Sequence, residues 1–409
     1  MAFFTALLML LLLLVTLPVV FFCIEVAVGV FAREGNSGQA EVIKDIEVLE
    51  GIASVIIIPA HNEASVINET LDKLLAETET HQDRVLVVAD NCSDDTAQLA
   101  RRAGVEVIER EDADYRGKGY ALSFAMNYLQ HSAQAPKVVI IFDADCHLVP
   151  GSLRALKECC YRSGKPVQSA YRLLAPEGAG IGNRISEFAI RVKNLVRNRG
   201  LSRMGFPAVL TGTGMAFPFH ALSRVELASG ELAEDMKLGI DLTLAGYPTQ
   251  YFGQAEVLSV LPQADAAIAT QRERWEHGHL TVMKTYLPRL LKSMLATRNW
   301  QLAGVFFDLL IPPLSLLVMI TGSLMVLALV VSLLAGTGLL ALYAVVLLLL
   351  VAAFTAIAWW YHGRDLLSGS DFLKLPLYVL KKLALYKKFF VNPQKAWVRT
   401  SRDITDKDQ

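Results

Sequence analysis

Three long apolar runs constrain the fold of this chain more than any other feature. The first extends from Phe3 to Phe31 and contains one acidic side chain, Glu25, and no basic one. A helix of that length is long enough to cross the hydrocarbon core of a bilayer. A cleaved signal peptide is the alternative, but such a peptide would begin with basic residues and carry a shorter apolar segment. We therefore predict an N-terminal transmembrane helix over residues 1–32.

Two further apolar runs lie near the C-terminus and predict two transmembrane helices over residues 309–361. Residues 281–308, which precede them, are expected to form interfacial helices. Residues 370–409 are predicted to form a basic interfacial helix and a cytosolic tail, because lysines are interspersed there with aromatic and aliphatic residues. That composition is typical of a helix on an anionic membrane surface. The lysines are Lys381, Lys382, Lys387 and Lys388.

The distribution of charge predicts how the chain is oriented. Basic residues flank the middle region and the C-terminal tail, whereas the turn between the last two apolar runs has none. The positive-inside rule therefore places both regions in the cytosol, as parts of a multi-pass protein of the cell (inner) membrane. The formal net charge of −1 argues against a nucleic-acid partner. The five cysteines indicate neither a disulfide framework nor a zinc site, because one lies in an apolar run and two are adjacent.

Between residues 50 and 280, short apolar runs alternate with helical patterns. This alternation predicts an α/β domain with a mostly parallel sheet that is covered by helices on both faces. Such sheets bind ligands outside the carboxyl ends of their strands. Polar clusters follow several of the predicted strands, so we expect the functional site at that edge. The predicted strands are SVIIIPA, RVLVVAD, VEVIER and KVVIIFDAD.

The first two polar clusters are PAHNEA at 59–64 and ADNCSDD at 89–95. Asn, Asp and Ser are favoured in turns and at helix N-caps, so each cluster by itself is open to a purely local explanation. We expect Ser93 or Asp94 to act as a cap. Because both clusters fall at strand ends, their residues are also candidates for ligand binding.

Asp143 and Asp145 follow the fourth apolar strand and are separated by one residue. Alternation along a strand would place both side chains on the same side. Two carboxylates this close repel each other unless a cation lies between them. Oxygen ligands suit Mg²⁺ or Mn²⁺, and Mg²⁺ completes its shell with phosphate oxygens and water. The pair therefore predicts a metal–diphosphate site, and two solvated turn aspartates are the alternative.

Three further segments carry weaker signals. Lys118 lies between two glycines at a predicted helix start, where amide donors and the helix dipole favour an anion, although the P-loop spacing is absent. Gly212 and Thr213 belong to a glycine turn, and Glu234 and Asp235 open a predicted helix, as acidic residues commonly do. A Rossmann oxidoreductase is excluded because no GxGxxG follows the first strand.

The segment ATQRERWEHGHL at 269–280 has two interpretations. It can be a membrane-interface anchor, in which Arg meets headgroups and Trp lies at the interface. It can also be a substrate-binding helix held against the membrane. Its candidate binding residues are Gln271, Arg274 and Trp275, whereas His277 and His279 are expected to be surface or packing residues.

Taken in order, these motifs resemble those of the family-2 inverting glycosyltransferases, particularly the membrane-integrated branch related to cellulose and hyaluronan synthases. The resemblance covers 54–280 and implies a GT-A-type nucleotide-sugar-binding domain over 50–280. It implies a nucleotide-diphosphate sugar donor, taken as a UDP-sugar, with Mg²⁺ or Mn²⁺, and a polysaccharide or lipid-linked acceptor in cell-surface or extracellular polysaccharide biosynthesis. The matching motifs are PAHNE at 59–63, ADNCSDD at 89–95, DAD at 143–145, AED at 233–235 and QRERW at 271–275.

The resemblance also implies a role for each matching residue. Asp235 would be the catalytic base that removes a proton from the acceptor hydroxyl, and Asp145 with Asp143 would hold the metal. The donor-binding residues would be Pro59, His61, Glu63, Asp90, Lys118, Asp143, Gln271 and Arg274. The acceptor-binding residues would be Trp275, Glu234, Gly212 and Thr213.

Two features depart from the family pattern. Ala233 replaces the threonine of the usual TED triplet, and the three predicted spans are fewer than in synthases that extrude long polymers. The second departure leaves open whether the protein exports its own product or acts with other polysaccharide assembly or export proteins. A non-processive transferase that adds one sugar to a membrane lipid is an alternative. A non-catalytic, donor-binding scaffold of an export complex is an alternative of another class.

Overall fold

The computed structural model of the protein describes residues 2–31, 52–78, 82–336, 338–392 and 394. Within these residues the chain forms two compact units. The sheet unit comprises 52–174 and 205–274, and the helix unit comprises 2–31, 175–204 and 275–394. The sequence predicted one continuous domain over 50–280, whereas residues 175–204 belong to the helix unit. The part of the predicted tail after residue 394 lies outside the described residues.

The strands are β1 (Ser54–Ala60), β2 (Asp83–Asp90), β3 (Glu106–Arg110), β4 (Val138–Ile141), β5 (His147–Leu148), β6 (Val167–Leu174), β7 (Met215–Pro218) and β8 (Gln250–Val260). The helices up to the last strand are α1 (Ala2–Phe31), α2 (Ile67–Glu77), α3 (Thr96–Arg102), α4 (Lys118–Gln130), α5 (Ser152–Ser163), α6 (Ile181–Arg191), a π-helix (Val192–Arg197), α7 (Asn198–Arg203), α8 (Phe219–Leu222) and α9 (Glu234–Leu244). The remaining helices are α10 (Asp265–Thr297), α11 (Trp300–Leu309), α12 (Leu314–Ala335), α13 (Leu339–His362), α14 (Gly369–Phe372), α15 (Leu375–Lys381) and α16 (Leu383–Val391).

All eight of these strands form one sheet, in the order β3-β2-β1-β4-β7-β6-β8-β5. Strand β1 pairs in parallel with β2 and with β4, and β2 pairs in parallel with β3. Strand β7 is antiparallel to both β4 and β6, whereas β6 and β8 are parallel. The predicted α/β domain with a mostly parallel sheet is therefore confirmed. The antiparallel strand β7 in its middle was not predicted.

The central strand β1 shows why a run of apolar residues indicates a sheet that is covered on both faces. Ile56 and Ile58 belong to one buried core, whereas Val55 and Ile57 belong to the core on the opposite face. All four side chains are fully buried. Because successive residues of a strand point to opposite faces, a strand with two buried faces must be apolar at every position.

The end of β4 corrects one step of the sequence analysis. The strand ends at Ile141, and Asp143 and Asp145 lie in the loop and turn that follow it. The expectation that strand alternation aligns the two side chains is therefore wrong. The path of the turn, and not strand alternation, determines how these two carboxylates lie relative to each other.

The helix unit contains three helices that are long and apolar enough to cross a membrane, over Phe3–Phe31, Leu314–Ala335 and Leu339–His362. Their positions agree with the predicted spans. They share one buried core with α6 and the π-helix, to which Phe188 and Val196 contribute. This shared core is the reason why residues 175–204 belong to the helix unit.

Two glycines allow the backbone of α1 to approach its neighbours closely. A Cβ atom on Gly29 would lie 2.1 Å from the carbonyl oxygen of Val196, and one on Gly200 would lie 2.2 Å from that of Glu25. Neither distance leaves room for a side chain. Small residues of this kind let helix backbones pack directly against each other.

A buried group of three charges joins α1, the π-helix and α11 within the helix unit. Arg197 Nε donates to Glu25 Oε2 at 2.5 Å, and Arg197 Nη2 donates to Asp308 Oδ1 at 2.6 Å. All three residues are buried. Glu25, the acidic residue of the first apolar run, is therefore paired in the folded protein.

The C-terminal segment of the helix unit differs from the single interfacial helix that was predicted. It forms the short helices α15 and α16, which are separated at Lys382. Lys382 Nζ forms an ion pair with Glu276 and donates to Ser315 Oγ at 3.2 Å. His277 is buried beside α16, where it receives the Gln394 N–H on Nδ1 at 3.2 Å and bonds the Leu385 carbonyl through Nε2. It is thus a packing histidine, as expected.

Candidate active site

The polar clusters that follow β1 and β2 contact each other at the carboxyl edge of the sheet. His61 Nδ1 lies 2.7 Å from the carbonyl oxygen of Asp90, the last residue of β2. The Glu63 N–H donates to Thr96 Oγ1 at 2.8 Å. Pro59 lies within β1 itself. The predicted donor-binding residues of the two clusters therefore converge at neighbouring strand ends.

Asp94, one of the two residues expected to cap α3, bonds the start of that helix, although the residue at the N-cap position is Asp95. Its Oδ1 accepts the N–H of Thr96, the first residue of α3, at 3.0 Å, and its Oδ2 accepts the Ala64 N–H at 3.1 Å. The Ser93 N–H instead donates to Asn62 Oδ1 at 2.7 Å. Part of each cluster is thus local turn chemistry, and it holds the two loops together.

Asp90 is buried and pairs with Arg110, a residue that the sequence analysis missed. The two are register partners at the ends of β2 and β3. Arg110 Nη1 donates to Asp90 Oδ1 at 2.7 Å, and its Nη2 donates to Asp112 Oδ2 at 3.0 Å. Asn91 completes the network, because its Nδ2 donates to Asp90 Oδ1 and its Oδ1 accepts the Asp112 N–H. Opposite charges that end two consecutive predicted strands were the signal available in the sequence.

The turn after β4 brings Asp143 and Asp145 together. One carboxylate oxygen from each and the sulfur of Cys146 lie within 4.8 Å of one another. Burial raises the pKa of the Cys146 thiol well above its usual range, so the sulfur stays protonated, and it donates to Asp145 Oδ1 at 3.7 Å. The two carboxylates are therefore the part of this group that suits a hard cation such as Mg²⁺ or Mn²⁺.

Lys118 extends from the first residue of α4 to the same turn. Its Nζ donates to Asp143 Oδ1 and, at 2.7 Å, to the carbonyl oxygen of Gly212. Burial opposes its charge, but Asp143 and Glu234 raise the pKa of Lys118 above its usual range. The ammonium therefore remains charged beside Asp143. Burial and the charge of Asp145 raise the pKa of Asp143, and Lys118 opposes that rise.

The glycine turn before β7 lies between these groups and α9. Thr213 Oγ1 accepts the N–H of Asp143 at 3.1 Å. Gly212 has a φ of +97°, and a Cβ atom there would lie 3.7 Å from Asp235 Oδ2 and 4.0 Å from Lys118 Nζ. Any other residue would be strained by this φ. The side chains of Asp235 and Lys118 therefore both lie beside this turn.

Glu234 and Asp235 form the first turn of α9, and Asp235 Oδ1 accepts the N–H of Met236 at 2.8 Å. Burial raises the pKa of Glu234 to about 7, and the charge of Asp235 adds to the rise, whereas Lys118 and Arg274 lower it. Glu234 therefore holds its proton more tightly than an ordinary glutamate does. The charge of Arg274, a residue of the QRERW motif, therefore acts on this cluster.

Gln271 and Trp275 are the other two predicted binding residues of the QRERW motif. Gln271 and Arg274 lie three residues apart on α10 and therefore on one helix face. Trp275 is the first residue of the helix unit's last segment. The donor role of Gln271 and the acceptor role of Trp275 remain predictions.

The sheet unit thus gathers a carboxylate pair that suits a divalent cation, a buried ammonium group and a further carboxylate at the start of a helix. Cations near such a carboxylate pair bind phosphate groups, and a carboxylate can accept a proton. The residues concerned are Lys118, Asp143, Asp145, Gly212, Thr213, Glu234 and Asp235.

Solved structures of low sequence identity resemble the chain. A mannosyltransferase from Pyrobaculum calidifontis, solved with GDP-Man and Mn²⁺, has 16% identity and a TM-score of 0.47 over 84% of this chain and 88% of its own. Glucosyl-3-phosphoglycerate synthase from Mycobacterium tuberculosis, solved with Mn²⁺, UDP and glucosyl-3-phosphoglycerate, has 20% identity and a TM-score of 0.38 over 57% and 84%.

A comparison with protein families gives a match over most of the sheet unit and part of the helix unit. The family is described as "Glycosyltransferase like family 2", and its match extends over residues 53–278, which is more than half of the chain. All five motifs of the sequence analysis lie within that range. The chain therefore belongs to the family-2 glycosyltransferases, and its α/β domain is of the GT-A type.

Proposed function

We propose that this protein is a membrane-bound glycosyltransferase that transfers a sugar, with inversion, from a UDP-sugar to a polysaccharide or lipid-linked acceptor. The observation that carries the proposal is the convergence of Lys118, Asp143 and Asp235 beside the Gly212 turn. Asp145 adds the second carboxylate of the pair. Each group matches a step of glycosyl transfer.

The donor nucleotide would extend along the carboxyl edge of the sheet. Strands β2 and β4 flank β1, and neighbouring strands are about 4.8 Å apart, so Asp90 lies roughly 10 Å from the turn that carries Asp143. That separation suits a nucleotide whose base lies near Asp90 and whose diphosphate lies near Asp143. Pro59, His61 and Glu63, which lie at or just after the end of the neighbouring strand β1, would complete the base and ribose site.

Asp145, assisted by Asp143, would hold Mg²⁺ or Mn²⁺. The fit rests on the two clustered carboxylates and on the neutral thiol of Cys146, which leaves oxygen as the donor type. When bound, such an ion neutralises charge on the diphosphate. Because Lys118 is already bonded to Asp143 Oδ1, Asp145 would be the principal ligand.

Asp235 would remove the proton from the acceptor hydroxyl as its oxygen attacks the anomeric carbon. The bond between that carbon and the diphosphate oxygen breaks, and the diphosphate departs with the electron pair. Lys118 and Arg274 would stabilise the charge that develops on it, which is the electrostatic contribution that commonly dominates catalysis. A single displacement of this kind inverts the anomeric centre.

Glu234 contributes through its protonation. Its pKa of about 7 means that the Glu234–Asp235 pair does not carry two full negative charges at neutral pH. The developing negative charge of the leaving group is therefore repelled less. Contact of Glu234, Gly212 and Thr213 with the acceptor, as the family resemblance implies, forms part of the proposal.

The helix unit would hold the enzyme in the cell membrane, with the sheet unit in the cytosol. Support comes from the three helices of spanning length and from α15 and α16, which expose Leu377, Leu380 and Leu383 beside lysines. Membrane attachment favours a lipid-linked or membrane-assembled acceptor. A role in polysaccharide biosynthesis, alone or with export proteins, and a relation to the cellulose and hyaluronan synthases form the finer part of the proposal.

Incubating the purified, detergent-solubilised protein with UDP- and GDP-sugars, membrane lipids and Mg²⁺ or Mn²⁺ tests the proposed function. We expect release of nucleotide together with a labelled lipid or polymer, and product length separates single-sugar transfer from polymer synthesis. Asp235→Asn is the matched inactive control. Nucleotide binding without turnover under every condition would instead favour the donor-binding scaffold.

A further inference from the structure

The network around Asp90 leaves this carboxylate with one oxygen for a ligand. Within the part of the chain that the structure describes, the Asp90 carboxylate accepts two hydrogen bonds, and both fall on Oδ1, from Arg110 Nη1 at 2.7 Å and from Asn91 Nδ2 at 3.0 Å. A carboxylate oxygen has about two lone-pair sites, so Oδ1 is filled. Oδ2 is the oxygen that remains.

Arg110 is held so that it cannot readily leave Oδ1. Its second terminal nitrogen bonds Asp112, and its guanidinium lies 5.7 Å from the ring centroid of Tyr120. Its own side chain is 11% exposed and that of Asp90 is 8% exposed. A closed network of this kind, in which each partner is itself bonded, keeps its members rigid.

We propose that Arg110 selects uracil over guanine in the donor nucleotide, by occupying the Asp90 oxygen that guanine would need. The inference rests on the proposed function, because it assumes that the base of a nucleotide-sugar donor binds beside Asp90. Arg110 does not itself touch the base; it acts by restricting the hydrogen bonds that Asp90 can accept.

The argument follows from the hydrogen-bond donors on the edge of each base. Uracil presents a single ring N–H between two carbonyl oxygens, and one carboxylate oxygen satisfies it. Guanine presents a ring N–H and an adjacent amino group, which together require both oxygens of a carboxylate. With Oδ1 filled, the amino group would be desolvated without an acceptor, and an unsatisfied buried donor costs about 1–3 kcal/mol.

Calorimetric titration of the full-length, detergent-solubilised protein with UDP, GDP and inosine diphosphate, in excess Mg²⁺, tests the inference. The base of inosine diphosphate has the ring N–H of guanine but lacks its amino group. We expect UDP to bind at least about tenfold more tightly than GDP, and inosine diphosphate to bind no more weakly than GDP. Tenfold tighter binding of GDP than of inosine diphosphate would show that both oxygens of Asp90 are available, and would overturn the inference without any variant.

The variant Arg110→Met removes one of the two donors to Oδ1 and so frees an acceptor site, and we expect it to reduce the ratio of UDP to GDP affinity about tenfold. Arg84→Met is the matched control, because Arg84 pairs with Glu106 across the same two strands, away from Asp90. Arg110→Lys keeps a cation and one donor and should restore most of the preference. If the ratio of UDP to GDP affinity were unchanged in Arg110→Met, or fell equally in Arg84→Met, the role of Arg110 would be structural only.

The possible failures are distinguishable. Wild-type protein that binds GDP as well as UDP, or better, overturns the selection by Arg110 and leaves glycosyl transfer intact. Wild-type protein that binds neither nucleotide overturns the proposed function, and the inference with it.

Discussion

Removing the positive charge from the buried triad of the helix unit should destabilise the protein strongly. Arg197 forms ion pairs of 2.5 and 2.6 Å with Glu25 and Asp308, and all three residues are buried. Burial lowers the pKa of Arg197, but Glu25 and Asp308 together raise this pKa by more. Arg197 therefore stays charged over the usual pH range. In Arg197→Met, two neighbouring acidic groups would remain buried without a cation.

The size of the effect follows from the geometry. At an effective dielectric constant of about 20, two unit charges 4 Å apart interact with roughly 4 kcal/mol, and breaking one buried pair typically costs about 3–5 kcal/mol. Part of the loss is regained if the carboxylates take up protons. We therefore expect Arg197→Met to lose about 3–5 kcal/mol and to melt on the order of 10 °C below the wild type.

Thermal unfolding of the detergent-solubilised protein, followed by intrinsic fluorescence, measures this difference. Arg101→Met is the matched control, because the pair of Arg101 and Glu109 is about half exposed at both partners, and exposed pairs contribute about 0–1 kcal/mol. The triple variant Glu25→Gln, Asp308→Asn, Arg197→Met removes the stranded charges and should recover much of the loss. If Arg197→Met melted within about 2 °C of the Arg101→Met control, the buried ion pairs would contribute no more than the ~1 kcal/mol of an exposed pair, and the reasoning would be refuted.

Three further outcomes are expected. Asp235→Asn should reduce turnover by at least roughly 100-fold, the scale of general-base catalysis, while UDP affinity changes little; near-normal turnover would remove the assigned base. Excess EDTA, or Asp145→Ala, should stop transfer, and added Mg²⁺ or Mn²⁺ should restore activity to the wild type but not to the variant; full activity in EDTA would contradict the metal role. The pKa of Glu234, raised from 4.5 to about 7, means that the native state binds this proton more tightly than the unfolded chain, so its contribution to stability falls as pH rises through that window. As the pH rises from 5 to 8, the free energy of unfolding of Glu234→Gln should therefore increase relative to that of the wild type by roughly 2–3 kcal/mol. A relative decrease over this range would show that the pKa is not raised.

Much of the fold follows from local patterns in the sequence. The three spans and the first four strands were predictable because burial on both strand faces, or all round a helix, requires uninterrupted apolar residues. Strand β7 and the transfer of 175–204 to the helix unit were not, since each depends on partners that are distant in the chain. The glycines at 29 and 200 carry no local signal of the close contacts that they make.

The candidate site divides in the same way. Asp143, Asp145, Asp235 and Lys118 were identifiable as residue types at strand and helix ends, but strand alternation was the wrong reason for the first two to meet, because β4 ends at Ile141. Arg110 was overlooked because a single arginine at the end of a strand resembles any solvated cation until its register partner is known.

The sequence by itself determined which segments are apolar enough to be buried or to span a membrane, and which chemical groups end the strands, because both depend on the order of residues along the chain. The tertiary structure alone decided which of those groups meet: Lys118 with Asp143 and the Gly212 carbonyl, Arg110 with Asp90, and Glu25 with Arg197. Hydrogen bonds and ion pairs act over a few ångströms, and only the folded path of the chain brings residues that are tens or hundreds of positions apart within that range.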